Sequence, residues 1–213
     1  MRVIDLVLFI VLFASAIIAV ISFKSLPAKE RLIAILLILT FPQTISCFVL
    51  FKQKQNNLYL IHWYSLIEFI LIMAYYHLLL TKRLFINIYV TLTAIGLLWF
   101  TIPFFFQKPL LHSLSFLFFE SLAIIIVGLL YCLDLFLKEK AYIMQMPSFW
   151  ITIALLIYWT TTYTRNGLII FHNSFSINIL TKFDNLFILI SVAFYASLAG
   201  ILLTYKKFRK AYE

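Results

Sequence analysis

The sequence predicts an all-α fold, an integral membrane bundle of seven transmembrane helices in a single polytopic domain. Of its 213 residues, 64% are hydrophobic and only 12% are charged. The mean hydropathy of +1.05 is far above that of soluble proteins. A hydrocarbon core about 30 Å thick needs about 20 helical residues per crossing. Seven such stretches predict spans at about residues 3–23, 32–51, 58–80, 84–106, 110–136, 147–165 and 179–205.

The first two spans are separated by a short basic segment that contains Pro27. The first apolar run continues to Phe23, which is longer than the core of a typical signal peptide, so we expect a permanent transmembrane helix. In the second span Pro42 precedes Gln43. Proline inside a helix frees a backbone carbonyl, so this point in the membrane is a candidate source of ligand atoms.

The third, fourth and fifth spans complete two hairpins, and spans 3 and 5 run in the same direction. Pro103 and Pro109 flank the loop between spans 4 and 5. Glu68 and Glu120 each lie about ten residues from the start of their spans. At 1.5 Å per residue this places both carboxyls near the middle of the membrane.

The sixth span is bounded by Pro147 at its first turn and Gly167 after its last, the residues that these helix positions prefer. The following segment, residues 168–178, is apolar but too short to cross. We expect it to be an ordinary interfacial loop, with a lid or re-entrant turn as the alternative. The seventh span is followed at once by the densest basic cluster of the chain.

The distribution of positive charge predicts the orientation. The net charge of +9 would suggest a nucleic-acid partner in a soluble protein, but in a membrane protein basic loops stay in the cytoplasm. Seven spans divide the 17 basic residues into eleven on one side and six on the other. We therefore expect the N-terminus outside and the C-terminus in the cytoplasm, in the inner membrane of a bacterium and without nucleic acid as a partner. The larger set ends with Lys206, Lys207, Arg209 and Lys210.

The two carboxyls at mid-depth are the strongest functional signal. An ionised side chain at the bilayer centre costs about 2.5–3.5 kcal/mol, so such groups normally face the bundle interior or water. Tyr64 shares a helix face with Glu68, and Gln43 lies at similar depth in span 2. We favour a ligand or proton site at Glu68 and Glu120 over the alternative, a structural hydrogen bond between helices.

A second set of polar residues is expected near the outer helix ends. With the carboxyls it describes a polar funnel that opens outward, lined by His62, His112, Arg165, His172 and Asp184. For Arg165, reaching to the headgroups or pairing with Asp184 is favoured over direct ligand binding. The three histidines are more consistent with interfacial positions than with a metal site, because no His-x-x-x-His pair occurs. No cofactor is expected.

Two tryptophans lie away from the predicted span ends. Trp63 and Trp159 could line a pocket for a flat or cationic ligand, but we expect them to pack against lipid.

Three functions remain open. The first is binding or transport of a small polar or cationic solute, or of protons, with Glu68 and Glu120 as central sites and Tyr64, Gln43 and Arg165 as orienting groups. The second is a non-catalytic sensor or subunit whose basic C-terminal end docks a cytoplasmic partner or anionic lipid. The third is an enzyme that modifies lipid, with outer His and Asp residues as acid–base or metal groups.

Overall fold

The computed structural model describes residues 3–106, 109–138, 143–170 and 177–210, and these ranges contain no strand. The all-helical prediction is confirmed. Seven α-helices run through the described residues: α1 (Val3–Ser22), α2 (Ala28–Lys52), α3 (Leu58–His77), α4 (Arg83–Phe106), α5 (Pro109–Phe136), α6 (Pro147–Ile170) and α7 (Ile177–Lys210). Short 3₁₀ turns at Phe23–Ser25 and Ile143–Gln145 follow α1 and precede α6.

Six of these helices are long and apolar enough to cross a membrane: α1, α2, α3, α4, α5 and α7. The sixth helix is long enough, with 24 residues, but no stretch of it reaches the hydropathy of a membrane span. Its second half contains the run of residues 160–164, which is threonine apart from Tyr163, followed by Arg165 and Asn166. Polar side chains in this part of α6 interrupt its apolar sequence.

Two helix boundaries differ from the predicted spans in ways that matter for the site. Helix α2 begins at Ala28 rather than near residue 32, so Glu30 is helical. Helix α6 does not end at Gly167 but continues to Ile170, and no glycine in the described residues has the positive φ of a helix-ending cap. Residues 168–170 therefore belong to α6 and residues 177 and 178 to α7, while residues 171–176 lie outside the described ranges.

Six helices form a closed ring in the order α1, α2, α3, α5, α6, α7, with α7 packed against α1. Helix α4 lies outside this ring, against α3 and α5. Ring pairs Phe9–Phe48 and Phe13–Phe41, each with centroids 5.2 Å apart, show that α1 and α2 are antiparallel. Because α4 is displaced, α3 and α5 contact each other directly and in parallel.

The interior of the ring holds buried polar residues among apolar ones, and its outer surface is apolar. Large apolar side chains on the outer surface include Ile10, Leu98, Leu129, Ile157 and Leu189, each more than half exposed. Buried polar groups include Ser15, Glu30, Glu68, Glu120 and Asp134. An apolar surface of this extent on a soluble protein would mark an interface, whereas around a ring of membrane helices it is the surface that lipid covers.

Candidate functional site

Glu68 and Glu120 both face the interior of the ring. Glu68 is 8% exposed and Glu120 is 0% exposed, and the two carboxyls lie close enough to interact electrostatically. Their meeting depends on the direct contact between the parallel helices α3 and α5. Phe69 and Phe116, whose ring centroids are 6.0 Å apart, pack beside them and hold the two helices in register.

The carboxyl of Glu120 is buried without compensation. Neither of its oxygens has a hydrogen-bond partner among the described residues. A buried acceptor that lacks its hydrogen bond costs about 1–3 kcal/mol, so such groups call for an explanation by function or by a bound species.

Three tyrosines lie near the pair, Tyr64 one turn before Glu68 on α3 and two others on α6 and α7. The Tyr64 hydroxyl lies 2.5 Å from the Thr40 hydroxyl of α2. Tyr158 of α6 and Tyr195 of α7 are within electrostatic range of Glu68. We call this set the central cluster, which consists of Thr40, Tyr64, Glu68, Glu120, Tyr158 and Tyr195. Together these residues come from five of the six ring helices.

Two buried hydrogen-bond donors of α6 flank the level of Glu120. The Phe118 and Tyr163 rings are in contact, with centroids 4.1 Å apart, which sets the antiparallel register of α5 and α6. In this register Glu120 lies at a depth between Trp159 and Asn166. The Trp159 Nε1 and Asn166 Nδ2 atoms are buried and have no hydrogen-bond partner in the described part of the chain.

The position of Trp159 corrects one expectation. Trp159 was expected to pack against lipid, but it is only 2% exposed and lies in the core. Because α6 is enclosed by α5 and α7, only one narrow face of it reaches lipid, and Ile157 rather than Trp159 occupies that face. Trp63, by contrast, is 37% exposed and does lie on the outer surface of α3.

Arg165 and Asp184 form an ion pair between α6 and α7, at the end of the bundle where α1 begins. The Arg165 Nε atom lies 3.0 Å from the Asp184 Oδ1 atom, and the guanidinium stands 4.6 Å from the centroid of the Phe187 ring. The two side chains are 35% and 49% exposed. Phe187 in turn contacts Tyr158 of the central cluster, with centroids 5.9 Å apart. The pair therefore joins α6 to α7 between the central cluster and the end of the bundle where α1 begins.

Gln43 is satisfied within its own helix. Its Nε2 atom donates to the Cys47 sulfur at 3.2 Å, and its Oε1 atom accepts from the Thr44 hydroxyl at 3.3 Å. Helix α2 continues through Pro42 without interruption. The described contacts of Gln43 thus stay within α2 and do not reach the two carboxyls.

Of the three outer histidines, only His62 has a side chain within the described residues. His62 is stacked on Phe100, with centroids 4.2 Å apart and planes 12° from parallel. The side chain of His112, all of residue His172 and the side chains of Lys206, Lys207, Arg209 and Lys210 lie outside the described residues. In the part of the chain that is described, no group of three or more His, Cys, Asp or Glu side chains could hold a metal ion.

Comparison of the chain with protein-family models, with curated proteins and with solved structures finds no match.

Proposed function

We propose that this chain is a membrane carrier that binds a proton or a small cationic solute between Glu68 and Glu120 and moves it across the bilayer. The observation that carries the proposal is the Glu120 carboxyl, fully buried, without a hydrogen bond in the described residues, and within electrostatic range of a second carboxyl. Ionisable side chains inside membranes are costly to insert, and they typically mark ion pathways or proton relays.

The chemistry of the pair favours positive charge. Two carboxylates close together in a medium of low dielectric repel each other strongly. A proton or an ammonium group between them removes that repulsion and supplies the hydrogen-bond donors that the oxygens of Glu120 lack. One positive charge per pair is the stoichiometry that this arrangement supports.

The donors on α6 narrow the class of solute. Trp159 Nε1 and Asn166 Nδ2 can each donate a hydrogen bond, and both flank the level of Glu120. A small amine that also carries an acceptor oxygen could use the carboxyls for its ammonium group and these donors for its oxygen. Tyr64 and Tyr158 add hydroxyls that can orient either part.

The proposal includes seven crossings, with the N-terminus outside and the C-terminus in the cytoplasm. Helix α6 is about 36 Å long at 1.5 Å per residue, enough to cross, and it packs along α5 and α7 as a full member of the ring. Its exposed Ile157 and Trp150 give it a lipid face. Enclosure by two neighbours explains how a helix with a polar half is accommodated, because its threonines and Asn166 need not face lipid.

The test is transport by the purified protein in liposomes. Proton entry driven by a potassium diffusion potential is followed with an entrapped pH-sensitive dye, and uptake of labelled ethanolamine, a small amine with an acceptor oxygen, is measured in parallel. Substituting both glutamates, Glu68→Gln with Glu120→Gln, should abolish both fluxes while leaving the folded yield intact.

The control is Asp5→Asn, a carboxyl-to-amide change in the first turn of α1, outside the central cluster. It should transport like the parent protein. Unchanged flux of both protons and ethanolamine in the double glutamine variant would refute the proposal.

A further inference from the structure

A third buried glutamate lies toward the opposite end of the ring, where α7 ends. Glu30 is 1% exposed, and neither of its carboxyl oxygens has a hydrogen-bond partner among the described residues. The nearest cation is Lys29, whose Nζ atom is 3.7 Å from Oε1. Because Glu30 stands between Lys29 and Arg31, the sequence predicts a basic loop here and gives no sign that the carboxyl is buried.

A capping role does not explain Glu30. It is the third residue of α2, the position from which a glutamate can accept a hydrogen bond from the N–H of the N-cap residue. Here the N-cap residue is Pro27, which has no N–H. Arg31, the other neighbouring cation, is turned away, since its Nε atom donates to the Leu26 carbonyl at 2.7 Å.

Two tyrosines lie near this carboxyl without donating to it. Tyr75 of α3 and Tyr131 of α5 are both within electrostatic range of Glu30. The Tyr131 hydroxyl donates to the Ser148 hydroxyl at 2.8 Å, and the Tyr75 hydroxyl donates to the Ser148 carbonyl at 3.4 Å. We call Glu30, Tyr75, Tyr131 and Ser148 the basal cluster.

Asp134 lies beside the basal cluster and is compensated in a different way. It is within electrostatic range of Tyr131. Its Oδ2 atom accepts a hydrogen bond from the Thr81 hydroxyl at 3.1 Å and pairs with Lys138 on the next turn of α5. Asp134 is therefore both hydrogen-bonded and paired with a cation, whereas Glu30 has only the ion pair with the partly exposed Lys29 and accepts no hydrogen bond from the described residues.

An apolar layer separates the two clusters. Each ring helix contributes a fully buried residue to it: Ala19, Leu37, Ile72, Ile124, Leu155 and Leu198. Seven residues of α3 separate Glu68 from Tyr75, and eleven residues of α5 separate Glu120 from Tyr131. The clusters are thus roughly 10–16 Å apart along the helix axes. A cluster of polar groups on each side of an apolar layer is the arrangement expected of a gated path.

We infer that Glu30 is the second proton-binding station of this path, through which protons pass between the central cluster and the end of the bundle where α7 ends. The inference rests on the proposed function. The O–H bond of the protonated Glu68–Glu120 pair breaks and leaves a carboxylate there, and the released proton adds to a carboxylate oxygen of Glu30 and gives the neutral acid. It then leaves to water at the exposed segment around Lys24 and Pro27. Each step is a proton transfer, so no electrons are exchanged.

The experiment separates proton flux from binding at the central cluster. Flux is measured in liposomes with the entrapped dye. Binding is measured by reaction of Glu120 with a hydrophobic carbodiimide, which buried protonated carboxyls attack, and by protection with ethanolamine. Protection is scored as the loss of total modification, including the amide that ethanolamine forms with an activated carboxyl. Glu30→Gln should lower proton flux by about 10²-fold or more, the scale of losing one proton-transfer group. Labelling of Glu120 and its protection should remain as in the parent protein.

Two further variants make the outcome decisive. Glu30→Asp, which keeps a carboxyl, should retain part of the flux, and Asp5→Asn should retain all of it. If Glu30→Gln transports protons at the parent rate while the Glu68→Gln and Glu120→Gln double variant does not, the assignment of Glu30 is wrong and the proposed function stands. If the double variant also keeps its flux and ethanolamine uptake, the proposed function itself fails. A parent protein that carries no protons overturns the assignment of Glu30.

Discussion

Glu120 of α5 lies within electrostatic range of Glu68 of α3, yet neither oxygen of Glu120 accepts a hydrogen bond from any described residue. Two acids are thus brought together in the interior of a membrane helix ring at a position where hydrogen bonding offers Glu120 no compensation. A stability cost that the fold does not offset is a common property of functional sites.

The first prediction concerns stability. Glu120→Leu keeps the approximate volume of the side chain and removes the buried acceptors, so it should raise the free energy of unfolding by about 1–3 kcal/mol, while it abolishes transport. Glu120→Gln retains a polar group and should not give this gain. Thermal unfolding in detergent measures both variants, and a leucine variant less stable than the parent would show that Glu120 is structural.

The second prediction tests the packing of α5 against α6. A Cβ atom at Gly128 would lie 2.9 Å from Leu156 Cδ2 and 3.0 Å from the Tyr76 hydroxyl, whereas at Gly200 it would meet no atom within 4 Å. Gly128→Ala should therefore destabilise the protein by about 1–3 kcal/mol through overpacking. Gly200→Ala should be neutral or stabilising by up to about 1 kcal/mol, the helix propensity difference. Equal effects of the two substitutions in chemical or thermal unfolding would mean that α5 and α6 are not in close contact at Gly128.

The third prediction concerns the ion pair between Arg165 of α6 and Asp184 of α7. Because Arg165 and Asp184 are partly exposed, a double-mutant cycle with Arg165→Gln and Asp184→Asn should give a coupling energy of at most about 1 kcal/mol, and it should decrease with salt. The functional effect should be larger than the effect on stability. If the pair closes the route from water to Tyr158 and Glu68, Arg165→Gln should speed labelling of Glu68 by a water-soluble carbodiimide added from that side. An unchanged labelling rate would argue against a gate at this position.

The fourth prediction concerns whether α6 crosses the membrane. Seven crossings place the two termini on opposite sides, and six place them on the same side. In a background with Cys47→Ala and Cys132→Ala, single cysteines introduced by Arg2→Cys and Glu213→Cys should react with a membrane-impermeant maleimide from opposite sides of intact cells. Reaction of both from one side would contradict the proposed topology.

Much of the fold could be predicted because membrane insertion constrains it strongly. Helix lengths follow from bilayer thickness, and the burial of Glu68 and Glu120 follows from the cost of charge in hydrocarbon. The displacement of α4 could not be predicted, since its composition resembles that of its neighbours and consecutive helices are usually adjacent. That displacement is what brings Glu68 and Glu120 together.

The errors at single residues have related causes. Trp159 appeared lipid-facing because hydropathy does not reveal that α6 is enclosed on both sides. Gly167 was read as a helix end, but it lies within α6, where the nearest atom to its Cβ position belongs to Phe118 at 3.8 Å. Glu30 was assigned to a loop because Lys29 and Arg31 dominate its hydropathy window. In each case the environment of the residue is set by its tertiary neighbours, and the local hydropathy pattern of the sequence does not encode them.

The central claim is that positive charge binds between Glu68 and Glu120, and carbodiimide labelling read by mass spectrometry tests it most directly. We predict that the carbodiimide modifies both glutamates from the membrane phase and that labelling of either one slows modification of the other. We also predict that alkaline pH or ethanolamine protects both, with protection scored as the loss of total modification, including the amide that ethanolamine forms with an activated carboxyl. Modification of the two glutamates independently of each other, with no protection by ethanolamine or by alkaline pH, would contradict the account.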